Sequence, residues 1–316
     1  IFMRPFLSFL VMACVFCLAA SHASDLEKEK RWADQVVDSL LDGEAVYLND
    51  GQTDFLALET ASTVDGSRKA AIVMHGTGVH PNWPTVVLPL RVGLTESGWH
   101  TLSIQMPVLA NEAEHAEYAA VYDRVPGRID AAVDYLREKG FSSVVLIAHS
   151  QGSTMAVYYL DGEHRAVDGL VIIGMSGGIP GGPMDSLSRL PRLSLPVLDL
   201  YGAEDLPEVI DSAPLRAERA AEAAGDYTQR RVDGADHFFE GEESELISEV
   251  DAWLDARFLC PVPQITLNDK LFAGQDTSLH VSVRLLRTLF PAQLSWGSAG
   301  SSAAPHCWQK YRARLP

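Results

Sequence analysis

Short apolar runs alternate with helical patterns along most of the chain. The runs cover residues 70–74, 101–106, 144–148, 170–174, 197–201 and 227–232, most of them bounded by turn or cap residues. Between them, apolar positions recur at helical spacing over 85–97, 127–139, 152–160, 213–224 and 244–258. Strands that alternate with helices make βαβ units and a mostly parallel sheet. Three runs, 70–74, 144–148 and 170–174, are almost wholly apolar, which suits strands covered on both faces. Upstream, Leu26, Val36, Val37, Leu40 and Leu41 follow helical spacing within 25–42 and predict a helix closed by Gly43. Two short strands are expected at 46–48 and 54–59. The Gly- and Pro-rich stretch 174–196 is predicted as a loop of about twenty residues, a length that is often functional.

Apolar residues make up 47% of the chain and charged residues 21%, a globular composition. The net charge of −17 repels phosphate backbones and argues against nucleic-acid binding. The charge is unevenly spread. Residues 260–316 hold six Lys or Arg and two Asp, a local +4, so the remainder carries −21. A boundary is therefore expected near Cys260, between a domain over 24–259 and a basic tail over 260–316. The tail reads either as a translated frameshift or read-through, or as a genuine extension that binds an anionic surface. The cysteines are Cys14, Cys17, Cys260 and Cys307. None lies between 18 and 259, so the domain is expected to need no disulfide, metal-thiolate site or catalytic thiol.

The amino terminus reads as an address. Arg4 precedes an apolar run from Phe6 to Ala20, and Ser21-His-Ala23 places small residues at the −3 and −1 positions of a cut after Ala23. That is the pattern of a secretory signal peptide over 1–23. The run is about 15 residues, short of the ~20 that span a bilayer, so an uncleaved membrane anchor is the weaker reading. The expected location is the bacterial periplasm, with no stable membrane insertion after cleavage.

Four motifs carry candidate chemistry, each at the end of a predicted strand. In Ala148-His-Ser150-Gln-Gly152 a buried strand runs into a helix through a serine flanked by small residues. This fits the G-x-S-x-G nucleophile elbow with Ala148 in the first glycine position. Such a turn exposes the Ser150 hydroxyl and aims the Gln151 N–H at a developing oxyanion. In His75-Gly-Thr-Gly78 a glycine-rich loop follows a strand, and Thr77 is the candidate for a second oxyanion donor. Gly76 and Gly78 match neither a P-loop nor a dinucleotide fingerprint. In Leu200-Tyr-Gly-Ala-Glu-Asp205 an acid follows a strand and can orient a histidine. Asp199 and Glu204 compete for that role, but the first lies inside the strand and the second comes one residue too early. In Gly234-Ala-Asp-His237-Phe-Phe, His237 is the candidate general base. His75, His149 and Trp83 are candidates for pocket lining or loop support. His80, His100, His115 and His164 show no ligand spacing, so no metal is expected. The acidic stretch 111–117 reads as a solvated face.

The order Ser150, Asp205, His237 is that of the α/β-hydrolase triad. Over about residues 45–258 the sequence resembles the α/β-hydrolase superfamily, and more narrowly an uncharacterised group of exported bacterial α/β-hydrolase-like proteins. The residues that carry the resemblance are His75-Gly-Thr-Gly-Val-His-Pro-Asn-Trp83, Thr101-Leu-Ser-Ile-Gln-Met-Pro107, Ala148–Gly152, Leu200–Asp205 and Gly234–Phe239. The superfamily implies a mostly parallel sheet flanked by helices, with Ser150 as nucleophile, Asp205 as acid and His237 as base. Ala148 departs from its pattern. The expected activity is hydrolysis of an ester, thioester or amide of a small-molecule acyl substrate, without cofactor and with no large cap over the site. A non-catalytic binding protein on the same fold is the alternative. The sequence does not address oligomeric state.

Overall fold

In a computed structural model, residues 24–162 and 167–258 are described. The predicted leader (1–23), His164 and the basic tail (260–316) lie outside them. Eight strands form one sheet: β1 (Glu44–Asn49), β2 (Asp54–Thr60), β3 (Lys69–Met74), β4 (Trp99–Ile104), β5 (Ser143–His149), β6 (Gly169–Ile173), β7 (Val197–Glu204) and β8 (Tyr227–Asp236). Their spatial order is β1-β2-β4-β3-β5-β6-β7-β8. β2 pairs antiparallel with β1 and β4, and every later pairing is parallel. The chain leaves β3 for β4 on one side and returns to β5 on the other. β3 and β5 therefore flank the point where the winding reverses, and ligands of open α/β sheets bind outside the carboxyl ends of strands at such a point.

Among the described residues, seven α-helices accompany the sheet: α1 (Leu26–Asp38), α2 (Val87–Gly93), α3 (Val125–Glu138), α4 (Gln151–Leu160), α5 (Ser186–Arg189), α6 (Pro207–Ala220) and α7 (Glu243–Phe258). Val144 to Ala148 of β5 and the whole of β6 are buried on both faces, as their unbroken apolar runs predict. The main core gathers residues of β3–β6, α3 and α4, with Met184, Leu190 and Leu193 from the long loop.

Several boundaries differ from expectation. α1 ends at Asp38 with Ser39 as its C-cap, rather than running to Gly43. Gly43 instead takes a positive φ of 83° in the turn into β1. β4 starts and stops two residues earlier than the run 101–106; past Ile104 the Gln105 N–H still donates to the Leu56 carbonyl of β2 (2.9 Å), but the Gln105 side chain and the Met106 N–H turn to His75 in the loop after β3. α6 begins at Pro207 and not at residue 213, since proline suits the first helical turn. The 174–196 loop contains α5 and a 3₁₀ turn, Leu190–Arg192. Residues 111–117 are exposed apart from half-buried Ala113, and they lead into a 3₁₀ segment, His115–Arg124, that the pattern did not predict.

The first helix ties down the segment after β4. Lys28 Nζ donates to the Leu109 carbonyl (2.8 Å), the Asp25 N–H donates to the Val108 carbonyl (2.7 Å), and Glu29 pairs with fully buried Arg128 of α3 (2.8 Å). Trp32 meets His80 of the loop after β3 edge-on, with centroids 5.9 Å apart.

Candidate active site

The site forms where β3, β5, β7 and β8 end. Ser150 follows β5 and caps the N-terminus of α4. Its φ of 54° and ψ of −122° are a conformation that side chains rarely adopt. Two close approaches explain its flanking glycines. A Cβ on Gly152 would stand 2.5 Å from the His75 carbonyl oxygen, and a Cβ on Gly76 would stand 2.8 Å from the Ser150 Cβ. The loop after β3 and the first turn of α4 are thus in backbone contact. Ala148 needs no such gap. Its methyl is buried in the core cluster, level with Met74 of β3.

The elbow is tied to its neighbours. The Ser150 N–H donates to the Ile173 carbonyl at the end of β6 (2.8 Å), and the Ser153 hydroxyl donates to the Ala148 carbonyl (2.7 Å). The strained residue is held from both sides, and the Gln151 N–H lies in the first turn of α4, where backbone donors lack intrahelical acceptors.

Ser150, His237 and Asp205 form one hydrogen-bonded chain. His237 Nε2 lies 3.0 Å from Ser150 Oγ, and His237 Nδ1 lies 2.6 Å from Asp205 Oδ1. Asp205 also accepts the Leu206 N–H (2.7 Å) and the Gly202 N–H (3.3 Å), which fix both carboxylate oxygens. A carboxylate on Nδ1 sets the tautomer with the proton on Nδ1, leaving Nε2 as the acceptor that faces the serine. Asp199 is engaged elsewhere. It is fully buried and paired with buried Arg216 (2.8 Å), with Tyr227 and Gln229 also donating to it. Glu204 is exposed at the end of β7.

Two more histidines brace the site. His75 is buried. Its Nδ1 donates to the Gly76 carbonyl (2.8 Å), while Nε2 accepts from the Met106 N–H (2.9 Å) and the Gln105 amide (2.9 Å). It staples the loop after β3 to the segment after β4. Burial pushes its pKa down to about 3. His149 is buried too, and its Nε2 donates to the His237 carbonyl (2.8 Å), so it anchors the loop that carries the base. Burial, and then the neighbouring His237, push its pKa down to about 4. Both imidazoles are neutral near pH 7.

Thr77 is exposed in the loop after β3, and Gly78 turns that loop with a φ of 72°. Trp83 is half-buried and meets His80 edge-on at 5.4 Å, so it supports the loop in line with Trp32. Sequence reasoning missed Gln105, Tyr122 and Thr154. Tyr122 lies in the unpredicted 3₁₀ segment, and all three act through contacts between elements that no local pattern records. Among the described residues, no group of three or more His, Cys, Asp or Glu side chains is placed to hold a metal ion.

The sheet order, the elbow and the placing of Ser150, Asp205 and His237 at strand ends define an α/β-hydrolase fold. Within that class, the chain belongs to a family described as a protein of unknown function (DUF3530), which matches residues 19–122 and 110–256. No curated protein is significantly similar to it. Among solved structures it resembles Est1E from Butyrivibrio proteoclasticus, with 14% identity and a TM-score of 0.55 over 67% of this chain and 98% of that one. It resembles dienelactone hydrolase from Anabaena variabilis at 20% identity and a TM-score of 0.56, over 68% and 97% of the two chains. An alpha-beta serine hydrolase homologue from Coxiella burnetii gives 15% and 0.55, over 68% and 99%. At these identities the likeness is one of fold.

Proposed function

We propose that this protein is an exported serine hydrolase that cleaves an ester or related acyl bond of a small molecule. The observation that carries the reading is the continuous chain from Ser150 Oγ through His237 to Asp205, at 3.0 and 2.6 Å, on a strained elbow. Ser150 Oγ attacks the acyl carbon while its proton passes to His237 Nε2. The Asp205 carboxylate stabilises the imidazolium that forms. The N–H groups of Gln151 and Thr77 bind the oxyanion, where the loss of one donor costs about 3–4 kcal/mol of barrier. His237 then protonates the leaving group. Water, deprotonated by the same Nε2, attacks the acyl-enzyme and frees Ser150. The chemistry closes without a cofactor.

Fold neighbours that include a dienelactone hydrolase and a serine hydrolase homologue support this reaction class. The 174–196 loop is the one lid candidate among the described residues, which favours small soluble substrates over lipid aggregates. Export rests on the leader pattern over 1–23, with cleavage after Ala23.

The test is fluorophosphonate labelling beside hydrolysis of short p-nitrophenyl esters, with and without Ser150→Ala. Labelling and turnover that vanish in the variant support the reading. A folded wild-type protein with neither would favour a binding protein on a hydrolase fold.

A further inference from the structure

The residue after the elbow serine carries more than a backbone donor. Gln151 Nε2 donates to the Tyr122 hydroxyl. Tyr122 Oη lies 2.5 Å from Thr154 Oγ1, and Thr154 Oγ1 donates to the Gln151 carbonyl at 2.9 Å. Hydrogen-bond capacity sets the direction of the whole ring. The single Thr154 proton goes to the carbonyl, so Thr154 accepts from Tyr122. The single Tyr122 proton is then spent, so Tyr122 accepts from the Gln151 amide. The ring leaves Gln151 by its side chain and returns to its own main-chain carbonyl. All three residues are at most 3% exposed.

The ring closes through the Cα of Gln151, which is bonded directly to the nitrogen of the oxyanion donor, and so limits rotation of that residue. The Ser150 N–H is fixed on one side by the Ile173 carbonyl, and the Gln151 carbonyl is fixed on the other by Thr154. Gln151 Oε1 is buried and has no hydrogen-bond partner among the described residues. Leaving a buried acceptor unpaired costs stability, so an apolar side chain would serve packing better here. Burial holds the Tyr122 phenol well above its ordinary pKa, which keeps its proton in the ring at every working pH.

We propose that Tyr122 and Thr154 are positioning residues for the oxyanion donor, acting through the Gln151 side chain and carbonyl. The inference rests on the serine-hydrolase reading above. Oxyanion stabilisation depends on donors held in place before charge develops, and the loss of a whole donor costs ~10²–10³ in kcat. Loosening one is expected to cost about tenfold.

The experiment uses the full chain as wild type, Tyr122→Phe, Thr154→Val, their double variant, Thr154→Ser and the control Val121→Ala. The readouts are kcat and KM on a short p-nitrophenyl ester, and inhibition by an alkyl trifluoromethyl ketone, which adds Ser150 Oγ at its carbonyl carbon and places the resulting oxyanion on the two N–H donors. Tyr122→Phe and Thr154→Val are expected to lower kcat about tenfold with KM within about twofold, and to weaken the ketone by the same factor. The double variant is expected to be no worse than the poorer single one, because both open the same ring. Thr154→Ser keeps the hydroxyl and is expected to restore the rate. Val121→Ala removes buried volume beside Tyr122 without touching the ring and is expected to leave the ketone's potency unchanged. Folded Tyr122→Phe and Thr154→Val with wild-type kcat and ketone inhibition would overturn the positioning role alone. So would an equal loss in Val121→Ala. A folded wild type with no turnover would overturn the hydrolase reading and this inference together.

Discussion

The rings of His149 and His237 lie 4.8 Å apart and tilted by 42°, and the first donates from Nε2 to the main-chain carbonyl of the second at 2.8 Å. The residue before the nucleophile therefore holds the loop that bears the base. The groups around the His149 ring are His237, Asp205 and Asp236. Burial outweighs the two acids and keeps His149 neutral.

That neutrality makes stability fall in acid. In the unfolded chain both buried histidines take up protons as pH drops through about 6.5. In the folded protein His149 resists to about 4 and His75 to about 3. The unfolded state binds more protons in this window, so stability is full above pH 6.5 and declines as pH falls to about 3, the last part of the fall from His75 alone. Thermal midpoints measured from pH 8 to 4 are expected to show that decline. His149→Gln is expected to shallow it, leaving the His75 contribution.

The elbow stores strain. A non-glycine residue at the φ and ψ of Ser150 costs on the order of 1–3 kcal/mol. Ser150→Ala and Ser150→Gly are both expected to be inactive. Glycine relieves the strain and alanine does not, so Ser150→Gly is expected to be the more stable of the two by about 1 kcal/mol in denaturant titration, after the entropy cost of glycine.

Two buried aspartates, Asp199 inside β7 and Asp205 just after it, separate function from stability. Asp205→Asn is expected to preserve the fold and lower kcat by about 10⁴, since the wrong imidazole tautomer would face Ser150. Asp199→Asn leaves the buried Arg216 guanidinium without its counter-ion and is expected to cost about 3–5 kcal/mol, with kcat little changed in the protein that remains folded. Urea titration alongside kinetics distinguishes them.

The small residues of the elbow are not equivalent. Gly152→Ala drives a methyl into the carbonyl oxygens of His75 (2.5 Å) and Met74 (3.0 Å), so α4 must shift; a loss of at least ~2 kcal/mol and of fluorophosphonate labelling is expected. Ala148→Gly removes a packed methyl and adds chain entropy. It is expected to destabilise by about 1 kcal/mol without raising kcat. A rate gain there would mean that Ala148 restrains the elbow.

Much of the architecture was written locally. Apolar runs covered on both faces marked β3, β5 and β6, and the helical spacing between them implied parallel crossovers, because burial on one or two faces leaves a period in the sequence. The elbow and the order Ser150, Asp205, His237 were legible for a similar reason: a tight turn admits only small neighbours, and each group sits where its own strand ends. Boundaries were less legible, as after Ile104, where Gln105 and Met106 continue the run but bond to His75 through the Gln105 amide and the Met106 N–H.

The tertiary structure alone decided the rest. It separated Asp205 from Asp199 by placing one beside His237 and the other against Arg216, 17 residues away in sequence. It joined Tyr122 to Gln151 across 29 residues and His75 to Met106 across 31. A sequence records the periodicity of each element strongly, because burial acts along that element. It records a single hydrogen bond between distant elements hardly at all, because that bond depends on where the sheet order brings their ends.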